Sequence, residues 1–286
     1  MIIAKNKDEL DAHIAGWKDV GQRIGFVPTM GALHDGHLSL CEIAAKNADK
    51  VALSIFVNPT QFAPHEDLES YPRTLEADLE KLEAQGLVDL VYAPRAVDIY
   101  PDGPAATLKA GEAAEGLESD FRPHFFDGVV SVVQRLFTQV RPDIAVFGEK
   151  DFQQLQVIQE MTRDQGMNIE IIGAPIIRDD KGLALSSRNA YLSEGEIEIA
   201  RMLNQILYSV AYGIAEGVNA SDACHNAADM LLEAGFDDVD YVAYKPDWNR
   251  VLVAAWIGKT RLIDNCPIAT SKNSSGERPL LLAASS

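Results

Sequence analysis

The sequence predicts an α/β protein in which a doubly wound parallel sheet is followed by a second, smaller α+β domain. Apolar runs of strand length alternate with segments of helical period up to about residue 175, as in a sheet wound with helices on both faces. The nearly continuous apolar run at 51–57 indicates a strand buried on both faces. This alternation stops after Pro175. We therefore expect a Rossmann-like domain at 1–175 and a smaller domain at 176–286.

The individual elements follow from local patterns. In the first domain, strands are predicted at 23–27, 51–57, 88–92, 144–147 and 169–172, and helices at 37–48, 74–85, 129–140 and 152–163. The helix at 74–85 places leucines on one face and acidic residues on the other. In the second domain, helices at Glu194–Ala215 and 221–234 precede short strands at 239–244, 251–256 and 260–263, which indicates an antiparallel sheet. From about residue 270 the serine-rich chain is predicted to be a disordered tail.

Composition excludes several classes of function. The formal net charge of −18 disfavours binding to nucleic acid or to anionic membranes, so an anionic substrate must be held by local positive groups. No run approaches the roughly 20 apolar residues of a membrane span, and the acidic residues near the N-terminus are unlike a signal peptide. The three cysteines, Cys41, Cys224 and Cys266, are widely spaced and form neither a disulfide framework nor a metal knuckle, which favours a reducing cytoplasm.

The segment 28–37, PTMGALHDGH, carries the strongest chemical signal. It follows a predicted strand and opens a helix, which is where ligands bind in open α/β sheets. Gly31 and Gly36 allow the backbone to approach a ligand, and His34 and His37 can donate hydrogen bonds to an α-phosphate as charge develops on its oxygens. The alternatives are two surface histidines or a metal pair, although no nearby cysteine or carboxylate completes a metal site. A His-x-Gly-His sequence after a strand matches the signature of the Rossmann-like nucleotidyl-transferring superfamily.

Two further segments offer groups that suit phosphates. In Gly148–Gln154, GEKDFQQ, Lys150 supplies a point charge, Asp151 caps the helix or orients Lys150, and Gln154 lies one turn into the helix. In the run 185–189, LSSRN, two hydroxyls and the Arg188 guanidinium suit a triphosphate. The alternatives are a solvated helix start for the first segment and a helix cap for the second.

A fourth segment, 56–62 or FVNPTQF, ends the second strand. Asn58-Pro59 forces an extended or turn conformation, which would present the Gln61 amide at the rim of the sheet to a hydroxyl or carboxylate. The alternative is a plain turn.

Together these four segments resemble the pantoate–β-alanine ligase (pantothenate synthetase) family. The resemblance extends over SIFVNP (54–59), YPRTL (71–75), PDIA (142–145), GLALSSRN (182–189), LVAAW (252–256) and RLIDN (261–265), and so covers nearly the whole chain to Cys266. It implies condensation of (R)-pantoate with β-alanine, driven by ATP, through a pantoyl adenylate, with release of AMP and pyrophosphate. It also implies a cytoplasmic homodimer and a Mg²⁺ ion held mainly by the ATP phosphates, with Asp78 and Asp151 as candidates to assist it.

The resemblance also implies a role for each matching residue. Catalysis would involve His37, as proton donor, with His34, Lys150 and Arg188. Gln61 and Gln154 would bind pantoate, and Gln61 also β-alanine; neutral amides leave the carboxylate nucleophilic, which a tight salt bridge would not. The ATP-binding positions would be Met30, Gly31, Ala32, Leu33, His34, Asp35, Gly36, His37, Gly148, Glu149, Lys150, Asp151, Ile177, Leu185, Ser186, Ser187 and Arg188. The second domain, which carries 185–188, would act as a lid.

One position departs from the family pattern. The family carries Arg-x-x-His-Phe-x-Gly where this chain has Arg122-Pro123-His124-Phe125-Phe126-Asp127-Gly128. Phe125 therefore occupies the histidine position, and either a backbone shift brings His124 in or the contact is lost. We expect the contact to be lost.

Three rival functions remain open at this stage. The first is a nucleotidylyltransferase with the same histidine loop. The second is a tRNA-charging enzyme, disfavoured by the length, the acidic charge and the lack of a basic arm. The third is a non-catalytic paralogue, suggested by Phe125.

Overall fold

The structure, a computed structural model, describes residues 1–62, 68 and 71–268. The predicted tail from about residue 270 lies outside these described residues. The chain divides into two compact units, Met1–Pro175 and Ile176–Ser286. Among the described residues, no helix combines the length and apolar character that a membrane span requires.

The described part of the first unit is built around a six-stranded parallel sheet. Its strands are β1 (Ile2–Ala4), β2 (Ile24–Thr29), β3 (Lys50–Ile55), β4 (Leu90–Tyr92), β5 (Ile144–Gly148) and β6 (Glu170–Ala174), in the spatial order β1-β4-β3-β2-β5-β6. At the centre, Gly25 of β2 pairs with Val51 of β3 on one side and with Ile144 of β5 on the other. The predicted parallel sheet is confirmed.

Helices cover both faces of this sheet. They are α1 (Lys7–Asp19), α2 (Asp35–Asn47), α3 (Leu75–Gln85), α4 (Ala96–Ile99), α5 (Glu118–Phe121), α6 (Phe125–Val140) and α7 (Phe152–Asp164). Phe26 packs into a core with α1, α6 and α7, whereas its neighbour Val27 packs into a core with α2 and α3. Because successive strand residues point to opposite faces, strands buried on both sides need the continuous apolar runs that the sequence shows.

Two elements at the N-terminus were not predicted. Strand β1 has only three residues and pairs with β4 at the edge of the sheet, so it lacks a long apolar run. Helix α1 buries only Leu10 and Ile14, and its start is set by Asn6, whose side chain accepts a hydrogen bond from the Glu9 backbone N–H.

Helix α6 begins four residues earlier than the predicted 129. It starts directly after His124, which has a left-handed backbone conformation.

The described part of the second unit is a smaller α+β assembly, as expected. Helices α8 (Glu194–Ala215) and α9 (Ala220–Glu233) pack on an antiparallel sheet of β7 (Asp238–Lys245), β8 (Arg250–Ile257) and β9 (Thr260–Pro267), in that order. Strand β9 continues beyond the predicted 263, because its register with β8 runs from Thr260 to Pro267. Before α8, an isolated bridge joins Arg178 to Ala184, and the short 3₁₀ turn Ser187–Tyr191 follows.

Candidate active site

The strand order places three of the four predicted segments at one edge of the first unit's sheet. After β2 the chain adds β3 and β4 on one side, and later adds β5 and β6 on the other side. The order therefore reverses at β2, and ligands in open α/β sheets bind at the carboxyl ends of strands beside such a reversal. The loops that follow β2, β3 and β5 all lie at that edge. They contain the histidines, Gln61 and Lys150 respectively.

The side chains of the two histidines in the loop after β2 both accept hydrogen bonds from backbone N–H groups of that loop. His34 is the N-cap of α2, and its Nδ1 accepts a hydrogen bond from the Gly36 N–H at 3.2 Å. The Nδ1 of His37 accepts one from the His34 N–H at 3.3 Å, and the two ring centroids are 4.1 Å apart. A backbone N–H can only donate, so the proton of each neutral ring must be on Nε2. The loop therefore offers two Nε2–H donors at a helix N-terminus.

Both imidazoles favour the neutral form. The pKa of His37 is lowered to about 3, mainly by burial and then by the neighbouring His34, Lys150 and Lys81. Burial also lowers the pKa of His34 to about 4, with Lys150 the next cause. The rings are therefore neutral hydrogen-bond donors at physiological pH.

The backbone of this loop is fixed by helix α3. Gly31 has a φ of +87° and Ala32 has a φ of +51°, a region that residues with a side chain rarely adopt. The Asp78 carboxylate accepts hydrogen bonds from the N–H groups of Ala32 and Leu33, at 2.9 and 2.8 Å. Asp78 is only 1% exposed, and Thr74 Oγ1 also donates to it. The Asp78 carboxylate is therefore buried and bound to the loop, and its assistance to Mg²⁺ stays a prediction.

Lys81 is a residue of this site that the sequence interpretation missed. Its Nζ donates to the Leu33 carbonyl at 2.5 Å, and its charge contributes to the lowered pKa of both histidines. The sequence could have indicated Lys81 by its position three residues after Asp78 on a predicted helix, because this spacing puts both side chains on one face.

Gln61 is held by a buried polar network. It ends the 3₁₀ turn Pro59–Gln61, its Oε1 accepts from Asn58 Nδ2 at 3.0 Å, and its Nε2 lies 3.1 Å from the Met30 sulfur. Asn58 is 1% exposed, and its Oδ1 accepts from the Tyr100 hydroxyl at 2.7 Å. The loops after β2 and β3 are thus joined at this point. Asn58 and Tyr100 were missed as supporting residues, and no sequence spacing links Tyr100 to this turn.

The loop after β5 brings a charge to the histidines. It forms the 3₁₀ turn Glu149–Asp151, from which the Lys150 side chain emerges 19% exposed, with its Nζ 3.7 Å from an Asp151 oxygen. The Lys150 charge contributes to the lowered pKa of both histidines, so Lys150 lies near the histidine loop. Gln153 has a structural role, since its amide bonds the Glu118 N–H and the carbonyls of residues 113 and 116. Its neighbour Gln154 is half-buried on the first turn of α7.

The departure from the family pattern has a clear local geometry. The Arg122 guanidinium carbon lies 3.7 Å from the centre of the Phe125 ring, and an Arg122 terminal nitrogen lies 3.5 Å from the Gln61 carbonyl. His124 has a φ of +70° and a side chain that is 81% exposed, with its Nδ1 3.7 Å from an Asp127 oxygen. Phe125 therefore faces Arg122, whereas His124 faces Asp127 and solvent.

The remaining predicted ATP-binding residues belong to the second unit and lie next to one another there. The Leu185 N–H donates to the Ile177 carbonyl at 2.9 Å, and Ser186 caps the following turn by accepting from the Arg188 N–H at 3.3 Å. Arg178, which forms the isolated bridge with Ala184, donates two hydrogen bonds to the buried Asp264 carboxylate, at 2.6 and 2.9 Å.

The chain is similar to known proteins over nearly its whole length. Residues 2–267 match the model of the pantoate–beta-alanine ligase family. A pantothenate synthetase from Mesorhizobium japonicum is 51% identical over 91% of this chain and 95% of its own length, and one from Caulobacter vibrioides is 47% identical over 93% and 98%.

Solved structures give the same result. The crystal structure of pantothenate synthetase from Thermus thermophilus aligns with a TM-score of 0.87 and 38% identity, over 94% of this chain and 99% of that one. A pantoate–beta-alanine ligase from Francisella tularensis, complexed with beta-gamma ATP and beta-alanine, aligns with a TM-score of 0.83 and 37% identity, over 94% and 98%.

Proposed function

Because the chain belongs to the pantoate–beta-alanine ligase family, we propose that its histidine loop forms pantoyl adenylate from pantoate and ATP. The chain is a ligase of pantothenate biosynthesis that joins pantoate to β-alanine and converts ATP to AMP and pyrophosphate. The observation that carries the site proposal is the pair of Nε2–H donors of His34 and His37, at the point where the strand order reverses.

In the first half-reaction, a pantoate carboxylate oxygen bonds to the α-phosphorus of ATP as the bond to pyrophosphate breaks. His34 and His37 donate hydrogen bonds to the α-phosphate oxygens, where charge develops, and Lys150 stabilises the same charge. Each preorganised donor of this kind contributes roughly 10²–10³ in rate. The remaining ATP contacts are proposed at Met30, Gly31, Ala32, Leu33, Asp35, Gly36, Gly148, Glu149, Asp151, Ile177, Leu185, Ser186, Ser187 and Arg188.

Pantoate is proposed to bind at Gln61 and Gln154. The Asn58 contact leaves the Nε2 of Gln61 on the side of Met30, as a neutral donor for a hydroxyl or carboxylate. A neutral donor keeps the carboxylate more nucleophilic than an ion pair would. In the second half-reaction, the neutral amine of β-alanine, also near Gln61, attacks the acyl carbon. AMP leaves, and the new amide nitrogen loses a proton.

Mg²⁺ is proposed to enter as part of the substrate, bound to the ATP phosphates. Among the described residues, no group of three or more His, Cys, Asp or Glu side chains is arranged to hold a metal ion. The protein's own cations, Lys150 and Arg188, then act on a triphosphate that is already partly neutralised.

The role of the second unit, the cellular location, the partners and the oligomeric state are also proposed. The second unit acts as a lid that excludes water, because the acyl adenylate is a mixed anhydride that hydrolyses readily. A cytoplasmic location is supported by the three free and buried cysteines. The net charge of −18 supports small-molecule substrates and neither nucleic acid nor membrane as partners. A homodimer is supported by the family resemblance alone.

The test is pantoate-dependent exchange of labelled pyrophosphate into ATP. The parent protein should exchange only when pantoate is present, and His37→Ala and His34→Ala should lose roughly 10²–10⁴ in rate while remaining folded at the assay temperature. Exchange without pantoate would indicate a nucleotidylyltransferase, and dependence on tRNA would indicate a charging enzyme. Absence of exchange in a folded parent would indicate a non-catalytic paralogue and would refute the proposal.

A further inference from the structure

We propose that Lys81, acting with Asp78, is a positioning residue for adenylation, which aims the two histidines by holding the peptide groups of Leu33. This inference rests on the proposed function of the histidine loop and adds residues from α3 to it. Neither side chain needs to touch substrate in order to act. Their effect would pass through the backbone that leads directly into His34, the N-cap of α2.

Both polar backbone groups of Leu33 are bound by α3. The Leu33 N–H donates to Asp78 Oδ1 at 2.8 Å, and the Leu33 carbonyl accepts from Lys81 Nζ at 2.5 Å. Further along, Gln85 Nε2 donates to the Leu38 carbonyl at 2.8 Å. Positions 78, 81 and 85 lie on one face of a helix. One row of side chains therefore binds the backbone on both sides of the histidine pair.

The loop needs such support because its conformation is unfavourable. Gly31 and Ala32 both have positive φ, which is a strained conformation for a residue with a side chain. A Cβ atom at Gly31 would lie 3.1 Å from both Asp78 Oδ2 and Ile55 Cγ2, so the loop is also closely packed. The hydrogen bonds from α3 hold the loop in this conformation. Without them, the donors of His34 and His37 would no longer be fixed in direction.

Lys81 also adds charge where it is useful. The N-terminus of α2 already carries a partial positive charge from the helix dipole, and the Lys81 ammonium lies at the Leu33 carbonyl just before it. Burial is the main cause of the lowered pKa of His34 and His37, and the charges of Lys150 and Lys81 act in the same direction. The imidazoles are thereby kept as neutral Nε2–H donors, which is the form that the loop geometry requires.

The test compares Lys81→Met, which keeps much of the chain length, with Lys81→Arg, which keeps a charged donor. Lys46→Met is the matched control, because it removes an exposed lysine from the last turn of α2. In pantoate-dependent exchange, Lys81→Met should lose roughly 10–100-fold in kcat, since small misplacements of catalytic groups cost about this much. Its KM for ATP should change less than threefold. Lys81→Arg should recover most of kcat, and Lys46→Met should match the parent.

A second readout is independent of turnover. In the ligand-free protein, ¹⁵N NMR of the imidazoles should show Nε2–H forms for His34 and His37 in the parent, and altered shifts with a raised pKa in Lys81→Met. The Asp78→Asn variant should be partly non-additive with Lys81→Met, because both side chains hold one residue. Melting curves of each variant separate misplacement from unfolding.

The outcomes are distinct. Parent-like kcat in Lys81→Met, or a raised KM for ATP at normal kcat, would overturn the positioning role; the second result would make Lys81 a direct phosphate contact. If the parent lacks pantoate-dependent exchange, the proposed function fails, and the NMR comparison then decides whether Lys81 sets the histidine geometry. Unchanged imidazole spectra in folded Lys81→Met would overturn it.

Discussion

At the scale of single residues, the two histidines combine burial with neutrality. Each Nδ1 accepts a backbone N–H, so a proton on that nitrogen would break a hydrogen bond of the loop itself. The same bonds fix the ring direction and the tautomer. The proposed catalysis by hydrogen-bond donation therefore needs no positively charged ring at neutral pH, a form that burial would oppose.

This arrangement makes stability depend on pH. The pKa of His37 is lowered to about 3 and that of His34 to about 4, against 6.5 for an unperturbed histidine. As the pH falls from about 6.5 to 4, the unfolded chain binds protons that the folded chain does not bind. The free energy of unfolding should therefore decrease across that window.

Urea denaturation of the parent and of His37→Asn at pH 7.5 and pH 5 measures this effect. The variant should lose less stability between the two pH values than the parent does. An equal loss in both proteins would show that His37 does not titrate with a lowered pKa.

The replacement at Phe125 leads to a second prediction at this scale. Because His124 is largely exposed and faces Asp127, His124→Ala should retain most of the parent steady-state rate. Phe125→Ala should be more harmful, since it removes the ring against which the Arg122 guanidinium stacks. Phe125→His keeps a planar ring and should fall between these two.

Steady-state rates of the three variants, with ATP binding measured by calorimetry, test this ordering. A loss of several orders of magnitude in His124→Ala with ATP binding retained would show that the shifted histidine works.

At the scale of elements, helix α6 contacts the turn that carries Gln61 directly, because the residue of α6 at the contact is Gly128, which has no side chain. A Cβ atom at Gly128 would lie 2.4 Å from the Thr60 carbonyl oxygen and 2.9 Å from the Gln61 nitrogen. Gly128→Ala should therefore displace the Pro59–Gln61 turn. We expect a loss of about 1–3 kcal/mol in stability from overpacking, together with a raised KM for pantoate and a nearly unchanged KM for ATP.

Gly16→Ala in α1 is the matched control, because a Cβ there would meet no atom within 4 Å. It should be neutral or stabilising by up to about 1 kcal/mol. Thermal melting and steady-state kinetics of both variants decide the matter, and a normal KM for pantoate in Gly128→Ala would contradict the coupling.

The sequence was most informative where local pattern determines structure. Central strands such as β3 were predictable because burial on both faces requires an apolar run, and the histidine loop was predictable because it follows such a strand. The supports of the site were not predictable. Tyr100 reaches Asn58, and Lys81 reaches Leu33, through tertiary packing between segments distant in the chain. The exposed direction of His124 likewise depends on one left-handed residue.

At the scale of the whole molecule, the thiols are uniformly protected. Cys41 is fully buried, and Cys224 and Cys266 are 8% and 6% exposed. Burial raises the pKa of Cys41 to about 12 and that of Cys266 to about 11, and it also raises the pKa of Cys224. Because the thiolate is the reactive form, a thiol reagent such as DTNB should label none of the three cysteines in the native protein and all three in denaturant. Rapid labelling of the native protein would show that a thiol is exposed by opening of the fold.

The strand order β3-β2-β5 places Gln61 and Lys150 on opposite sides of the histidine loop, in segments that are distant in the chain. Of the proposed pantoate contacts, Gln61 follows β3, whereas Gln154 follows β5 together with Lys150. The shared histidine loop lies on the strand between them. If Gln61 binds pantoate as proposed, mutagenesis confined to residues 56–62 should change the choice of carboxylic acid more than the affinity for ATP, because the histidine loop and Lys150 lie outside this segment.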